Sequence, residues 1–355
     1  MTGSRGRLLS VFMALAAAHL AFCLIVWGYG ESPRVMLGLL AEGTWGSSYG
    51  VGQVLFKATP LLFAGIAVDV ALRAGLFNVG AEGQIAVASL AAAWLGTRLP
   101  AATPAVVAAP LVLVCAMAAG AAWAAVPALL RSRFGAHEVL STIVANRLSD
   151  SLVSALLAGG LALVGTTRTL EVVPGARLAR LERFSSAFSG SAASVSIVLA
   201  LLLAFGISLA FEKTRLRELV LVGQNPVACA AAGIPVKSRV AQALLLSGAI
   251  AGLASSATVL GYKGYYEMGL AAGAGFGGLA VAMLGRGSAT GLVLAALLFG
   301  TLEQGGLSIN AHVPREIMAV LEGVVIVAVA LADARVRAAL PALPRASGRA
   351  RGAPA

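Results

Sequence analysis

Three groups of residues in this chain have types and spacing that suit chemistry. The first is a polar cluster in an otherwise apolar sequence, RAGLFNVGAEGQ at Arg73–Gln84. Gly75, Gly80 and Gly83 permit backbone turns that β-carbons would hinder. Asn78, Glu82 and Gln84 place polar groups where a plain hairpin needs none. Irregular backbone at membrane depth is tolerated only when buried in protein or lining a wet cavity. The segment is therefore either an interrupted helix facing a transported molecule, or a tight surface turn whose amides cap helix ends. A second stretch, GLAAGAGFGG at 269–278, puts Gly275 and Phe276 in the matching position of the other half. Phe77, Phe276 and Trp94 are the aromatic side chains near the interruptions. Phe77, Asn78, Glu82, Gln84, Gly275 and Phe276 form the candidate pathway set.

The second group is acidic. Asp69, Glu303 and Glu322 lie inside apolar runs, where a carboxylate at helix centre costs about 2.5–3.5 kcal/mol on insertion scales. Each needs a partner such as Arg or Ser, or else takes part in proton or sodium coupling. The third group is the histidines and cysteines. His19, His137 and His312 fall at different depths, with no H-E-x-x-H and no serine dyad, which argues against an intramembrane hydrolase. His19 reads as a packed helix residue and His137 as a polar contact at a helix start. Cys23, Cys115 and Cys229 form neither a C-x-x-C nor an even framework and read as small packing residues. No metal site and no catalytic residue is expected.

The elements that carry these residues are apolar. Of 355 residues, 59% are hydrophobic and 12% charged, too few polar side chains to cover soluble domains. Apolar stretches at roughly 8–28, 51–72, 81–97, 104–130, 139–165, 191–211, 241–262, 273–285, 289–308 and 317–334 predict an all-α polytopic membrane protein of about ten crossings. Broken helices and an inverted internal repeat follow from the paired interruptions. Arg5 and Arg7 precede the first stretch like a signal peptide, but its length predicts an uncleaved helix. The net charge of +11 is spread between apolar runs rather than along one polar face, which excludes a nucleic-acid role. With the N-terminus inside, most Lys and Arg side chains fall on the cytoplasmic side, so both termini are predicted there. Residues 1–335 are read as one transmembrane domain with its core at about 50–335, and 336–355 as a basic cytoplasmic tail.

One cytoplasmic segment is organised. In GQNPVACAAAGIP at Gly223–Pro235, Asn225 suits an N-cap, Pro226 the first helical turn and Gly233 the position just past the end. The helix between them is far too short to span a bilayer, so it must pack on something.

RAGLFNVGAEGQ, FGAHEVLSTIVANRL at 134–148, VGQNPVACAAAGIPV, LLSGAIAGLA and GFGGLAVAMLGR, in this order, resemble the permease subunits of ATP-binding-cassette importers. The family serves nucleosides, simple sugars and branched-chain amino acids, and the resemblance is strongest to its nucleoside-type members over about 50–335. It implies a bacterial inner-membrane permease importing a small polar solute, a nucleoside above a sugar or branched-chain amino acid. It implies a second related permease, a cytoplasmic ATPase and an extracytoplasmic substrate-binding lipoprotein as partners. ATP and Mg would sit on the ATPase, with no cofactor on this chain, which lacks a G-x-x-x-x-G-K-[ST] motif. Residues 223–235 are similar to the coupling helix of such permeases, which nominates Gly223, Asn225, Pro226, Ala228, Ala231 and Gly233 for contact with the ATPase. The family usually carries an amide near Glu322, where this chain has a carboxylate. An ion-coupled secondary transporter is the more distant alternative, and it would have no use for an ATPase dock.

Overall fold

The computed structural model describes residues 2–213, 216–285 and 287–339. Most of the expected basic tail, from residue 340, lies outside the described residues. The helices in chain order are α1 (Thr2–Gly28), α2 (Pro33–Thr44), α3 (Ser48–Arg73), α4 (Ala81–Gly96), α5 (Ala105–Phe134), α6 (Glu138–Leu156), α7 (Ser196–Lys213), α8 (Arg217–Gln224), α9 (Pro226–Ala231), α10 (Val236–Gly252), α11 (Ala274–Gly285), α12 (Ala289–Ile309) and α13 (Ile317–Ala339). Wide π-type turns at Ser256–Lys263 prolong α10. A helix lies on each of the ten apolar stretches and α9 on the expected short segment, with α2 and α8 as additions. Both additions are short and carry charges, so they lack the long apolar run that marks a crossing.

The chain divides into two units, one holding α1 and most of α13, the other spanning Arg34–Met318. In the first, His19 on α1 makes a local contact with Cys23 one turn on, Nε2 to Sγ 3.7 Å. Glu322 lies half-buried on α13.

In the second unit, α3, α5, α7, α10 with its continuation, and α12 are each long and apolar enough to cross a membrane. Their packing has an internal order. α3 packs on α12 and α11, while α10 packs on α5 and α4; α4 packs on α5, and α11 on α12. Exchanging α3 with α10, α4 with α11 and α5 with α12 leaves this pattern unchanged. The α5–α10 crossing is close because Gly248 and Gly252 put backbone against backbone. A Cβ on either would meet the Gly120 or Ala116 carbonyl, the packing use of G-x-x-x-G.

Two members of the exchange are short. α4 has 16 residues and α11 has 12, about 24 and 18 Å at 1.5 Å per residue, against ~30 Å of hydrocarbon. The fifth apolar stretch leaves the helix at Leu161 rather than 165, where Gly160 takes φ 110°. The polar segment that follows does not hang free. It satisfies carbonyls at helix ends, the Val173 amide donating to Gly96 O (2.9 Å) and Leu178 to Leu260 O (2.9 Å), and one just beyond, Thr169 donating to Tyr266 O (2.9 Å).

Candidate functional site

The chain leaves α3 at Arg73, turns at Gly75 (φ 73°) and runs without helix to Ala81. Non-helical backbone inside an apolar protein must find partners for its amides and carbonyls. Asn78 is fully buried and provides several of them. Its Nδ2 donates to Gln84 Oε1 (2.9 Å) and Ser247 Oγ (2.7 Å). Its Oδ1 accepts from the Gly80 amide (3.0 Å) and Gln84 Nε2 (3.2 Å). Ser247 in turn donates to Ala67 O on α3 (2.6 Å). From α6, Asn146 Nδ2 donates to Val79 O (2.9 Å), and its Oδ1 accepts from the Gly83 amide (3.0 Å). Asn78 and Gln84 are thus the centre of a lock joining α3, α4 and α10, with Asn146 clasping the break from α6.

Glu82 has a different place. It lies in the first turn of α4, and its Oε1 accepts from the Gly273 amide and its Oε2 from the Gly275 amide, both at 2.7 Å. Those amides begin α11, where a negative charge also complements the helix dipole. The approach is close: a Cβ on Gly275 would fall 2.5 Å from Glu82 Cα. The two interruptions therefore meet, and α4 and α11 start from one point. Phe276 is 53% exposed beside this junction, and Phe77 is half-buried. Trp94 lies at the far end of α4, with the Arg98 guanidinium 4.8 Å from its ring centroid.

A cleft of about 150 Å³ opens next to the junction. One face of α4 (Glu82, Ile85, Ser89), one face of α6 (Asp150, Val153, Ser154) and Tyr266 with residues 268–272 line it. Of the candidate pathway set, the structure brings Glu82 to this cleft and Gly275 to Glu82. It buries Asn78 and Gln84 in the lock. Ser89, Asp150 and Ser154 were not singled out from the sequence, although Asn146, Asp150 and Ser154 recur at helical spacing along α6. A second cavity of about 60 Å³, lined by Lys57 and Glu303 among others, shares Leu270–Ala272 with the first.

Asp69 and Glu303 each have a basic partner. Asp69 bonds Arg73 Nε at 2.7 Å, and Arg73 also reaches Gly287 O and lies 4.6 Å from the Phe211 ring centroid. Glu303 pairs with Lys57 at 3.8 Å. His137 caps α6, its Nδ1 accepting from the Val139 amide at 3.4 Å.

The segment 223–235 forms the short helix α9. Asn225 Oδ1 accepts from the Ala228 amide at 2.9 Å, and Pro226 occupies the first turn. Gly233 takes φ 80°. Its amide donates to Ala230 O (3.0 Å) and the Ile234 amide to Cys229 O (2.9 Å), which is a Schellman end. Cys229 is buried, while Val227, Ala228, Ala230, Ala231 and Ala232 are exposed. Just before it, Gly223 lies against the break: a Cβ on Gly75 would sit 3.1 Å from Gly223 Cα.

The family described as "Branched-chain amino acid transport system / permease component" matches residues 50–330. The chain belongs to this permease family. A guanosine ABC transporter permease of Bacillus subtilis is 35% identical over 91% of this chain and 92% of its own length. A glucose ABC transporter permease of Haloferax volcanii is 32% identical over 90% and 84%. A nucleoside ABC transporter permease of Lactococcus lactis is 28% identical over 93% of each chain. No solved structure matches the chain. As a member of the family the protein is a multi-pass membrane permease subunit of an ABC transporter, and ATP hydrolysis belongs to its partner subunits.

Proposed function

We propose that this permease carries nucleosides inward across a bacterial inner membrane, with both termini in the cytoplasm. Its partners are a second, related permease, a cytoplasmic ATPase docked on α9, and an extracytoplasmic lipoprotein that delivers the solute. ATP and Mg are bound by the ATPase. The observation that carries this reading is the junction of α4 and α11. Half-helices that begin at one interior point, beside a cleft with polar groups, present amide ends and side chains to a solute at mid-membrane. α9 supplies the other end of the device. Its alanines make a low-bulk exposed surface, and Gly223 joins that surface to the break at Gly75. The pairing of Asp69 with Arg73 and of Glu303 with Lys57 gives these acids structural work, which weighs against ion coupling. The guanosine and nucleoside relatives favour a nucleoside, and the glucose relative keeps a simple sugar as the second reading. Uptake of labelled nucleosides and sugars by cells carrying the complete transporter decides between them. Saturable, ATP-dependent nucleoside uptake is the expected result.

A further inference from the structure

The cleft beside Glu82 contains more unspent hydrogen-bonding capacity than the fold requires. Glu82 is committed, one oxygen to each of two backbone amides. Asp150 is not. Its carboxylate is 64% exposed and its ionic neighbour, Arg147, stands off at 3.9 Å with its own side chain 86% exposed. Asp150 nevertheless lies near enough to the Glu82 carboxylate and the Tyr266 phenol to interact with both electrostatically. Ser89 is 2% exposed, lines the cleft and has a buried Oγ with no hydrogen-bond partner. Ser154 donates to Asp150 O at 2.7 Å, which leaves its acceptor lone pairs open.

The position of Asp150 adds a second constraint. It lies 12 residues beyond the start of α6, about 18 Å along the axis at 1.5 Å per residue. A charge at that depth faces water or protein rather than lipid tails. An open carboxylate lining the cleft is therefore set against water or a polar partner. Among the described residues no three metal-ligating side chains converge, so the donor set is not one for a metal ion.

Resting on the permease reading above, we infer that Asp150, Ser89 and Ser154 form the solute subsite of this cleft and bind the hydroxyl-bearing, uncharged part of the solute. A carboxylate only accepts hydrogen bonds and serine hydroxyls both donate and accept, so the set matches adjacent hydroxyl groups such as those of a ribose. It also selects against phosphorylated solutes. With the Glu82 and Asp150 carboxylates on one small cleft, an incoming phosphate meets like charge in a low-dielectric wall. Tyr266, 4% exposed, forms part of the wall rather than the hydrogen-bonding set.

The experiment measures maximal uptake by cells expressing the complete transporter, with membrane levels checked by immunoblot. Guanosine, ribose and glucose are each compared with an analogue lacking adjacent hydroxyls, for guanosine the 2′,3′-dideoxy form. The wild-type chain should carry the hydroxylated solute faster, because a site built to bond hydroxyls rejects the analogue without them. Asp150→Asn should lower uptake of the hydroxylated solute about tenfold, the loss of one charge-assisted hydrogen bond, and leave the analogue nearly unchanged. Ser89→Ala removes an atom with no partner in the fold, so it should keep its membrane level and still narrow the same ratio. Collapse of the ratio with guanosine supports both the subsite and the nucleoside reading. Collapse with glucose or ribose, where guanosine is not carried, supports the subsite and overturns the nucleoside reading. A ratio unchanged in both variants, or both solutes reduced alike, overturns the subsite, and the nucleoside reading then stands only where guanosine is the solute carried. If the assembled wild-type transporter carries none of the three solutes, both are overturned.

Discussion

Gly223→Ala tests whether α8 and the break at Gly75 move as one body. A Cβ at position 223 would fall 2.7 Å from Ala74 C and 2.7 Å from Gly75 N, and would also press on the Arg73 carbonyl oxygen. All three are backbone atoms, so no side chain can swing aside. Overpacking of this kind costs about 1–3 kcal/mol. At about 2 kcal/mol the arrangement with α8 seated on the break is disfavoured roughly 30-fold relative to one with α8 lifted away. α9 itself is untouched, since its Asn225 cap and Gly233 end are local. In proteoliposomes holding the complete transporter, ATPase association and basal hydrolysis should therefore persist while solute moved per ATP falls about tenfold or more. Gly206→Ala on α7 is the control, because nothing lies within 4 Å of a Cβ there, and it should leave both quantities unchanged. Wild-type solute-to-ATP stoichiometry in Gly223→Ala would refute the reasoning. So would loss of uptake that only follows loss of the protein from the membrane.

Asn78→Ala removes the centre of the buried lock and orphans groups on Gln84, Gly80 and Ser247; at about 1–3 kcal/mol per orphaned group, membrane level and thermal stability in detergent should drop before any specific transport defect is measurable. Glu82→Gln keeps one acceptor and presents an NH2 to an amide that now has none, so uptake should fall while membrane level stays near normal, as read by transport assay and immunoblot. Trp at Ala228, Ala231 or Ala232 should block co-purification of the ATPase from at least one of the three variants, since these side chains are exposed on α9 and Cys229 is not; full association in all three would exclude α9 as the dock. A cysteine at Ser185 should react with an impermeant maleimide added outside whole cells, and one at Ser238 should not; labelling of both from one side would overturn the crossing order.

What was legible in the sequence was local. Asn225, Pro226 and Gly233 announce α9 because a cap, a first-turn proline and a left-handed glycine act within a few residues of themselves. The apolar stretches are legible for the same reason: each is long enough to state its own need for burial. The partners in the site are distant. Asn146 meets residues 67 and 63 positions earlier, and Ser247 bonds Ala67 across 180 positions. Gly75 and Gly223 touch without any side chain to signal it. Asn78, Glu82 and Gln84 look alike in sequence, three polar residues in one interruption, yet the structure gives them unlike work. Asn78 and Gln84 spend their groups on each other, on Ser247 and on the Gly80 amide, and Glu82 spends both oxygens on the start of α11. Polarity inside an apolar run thus marks a constraint, but only an inventory of partners tells a constraint on the fold from a site for a solute. By that inventory the interruption builds the cleft, and the groups left open to a solute lie farther along α4 and on α6, at Ser89 and Asp150.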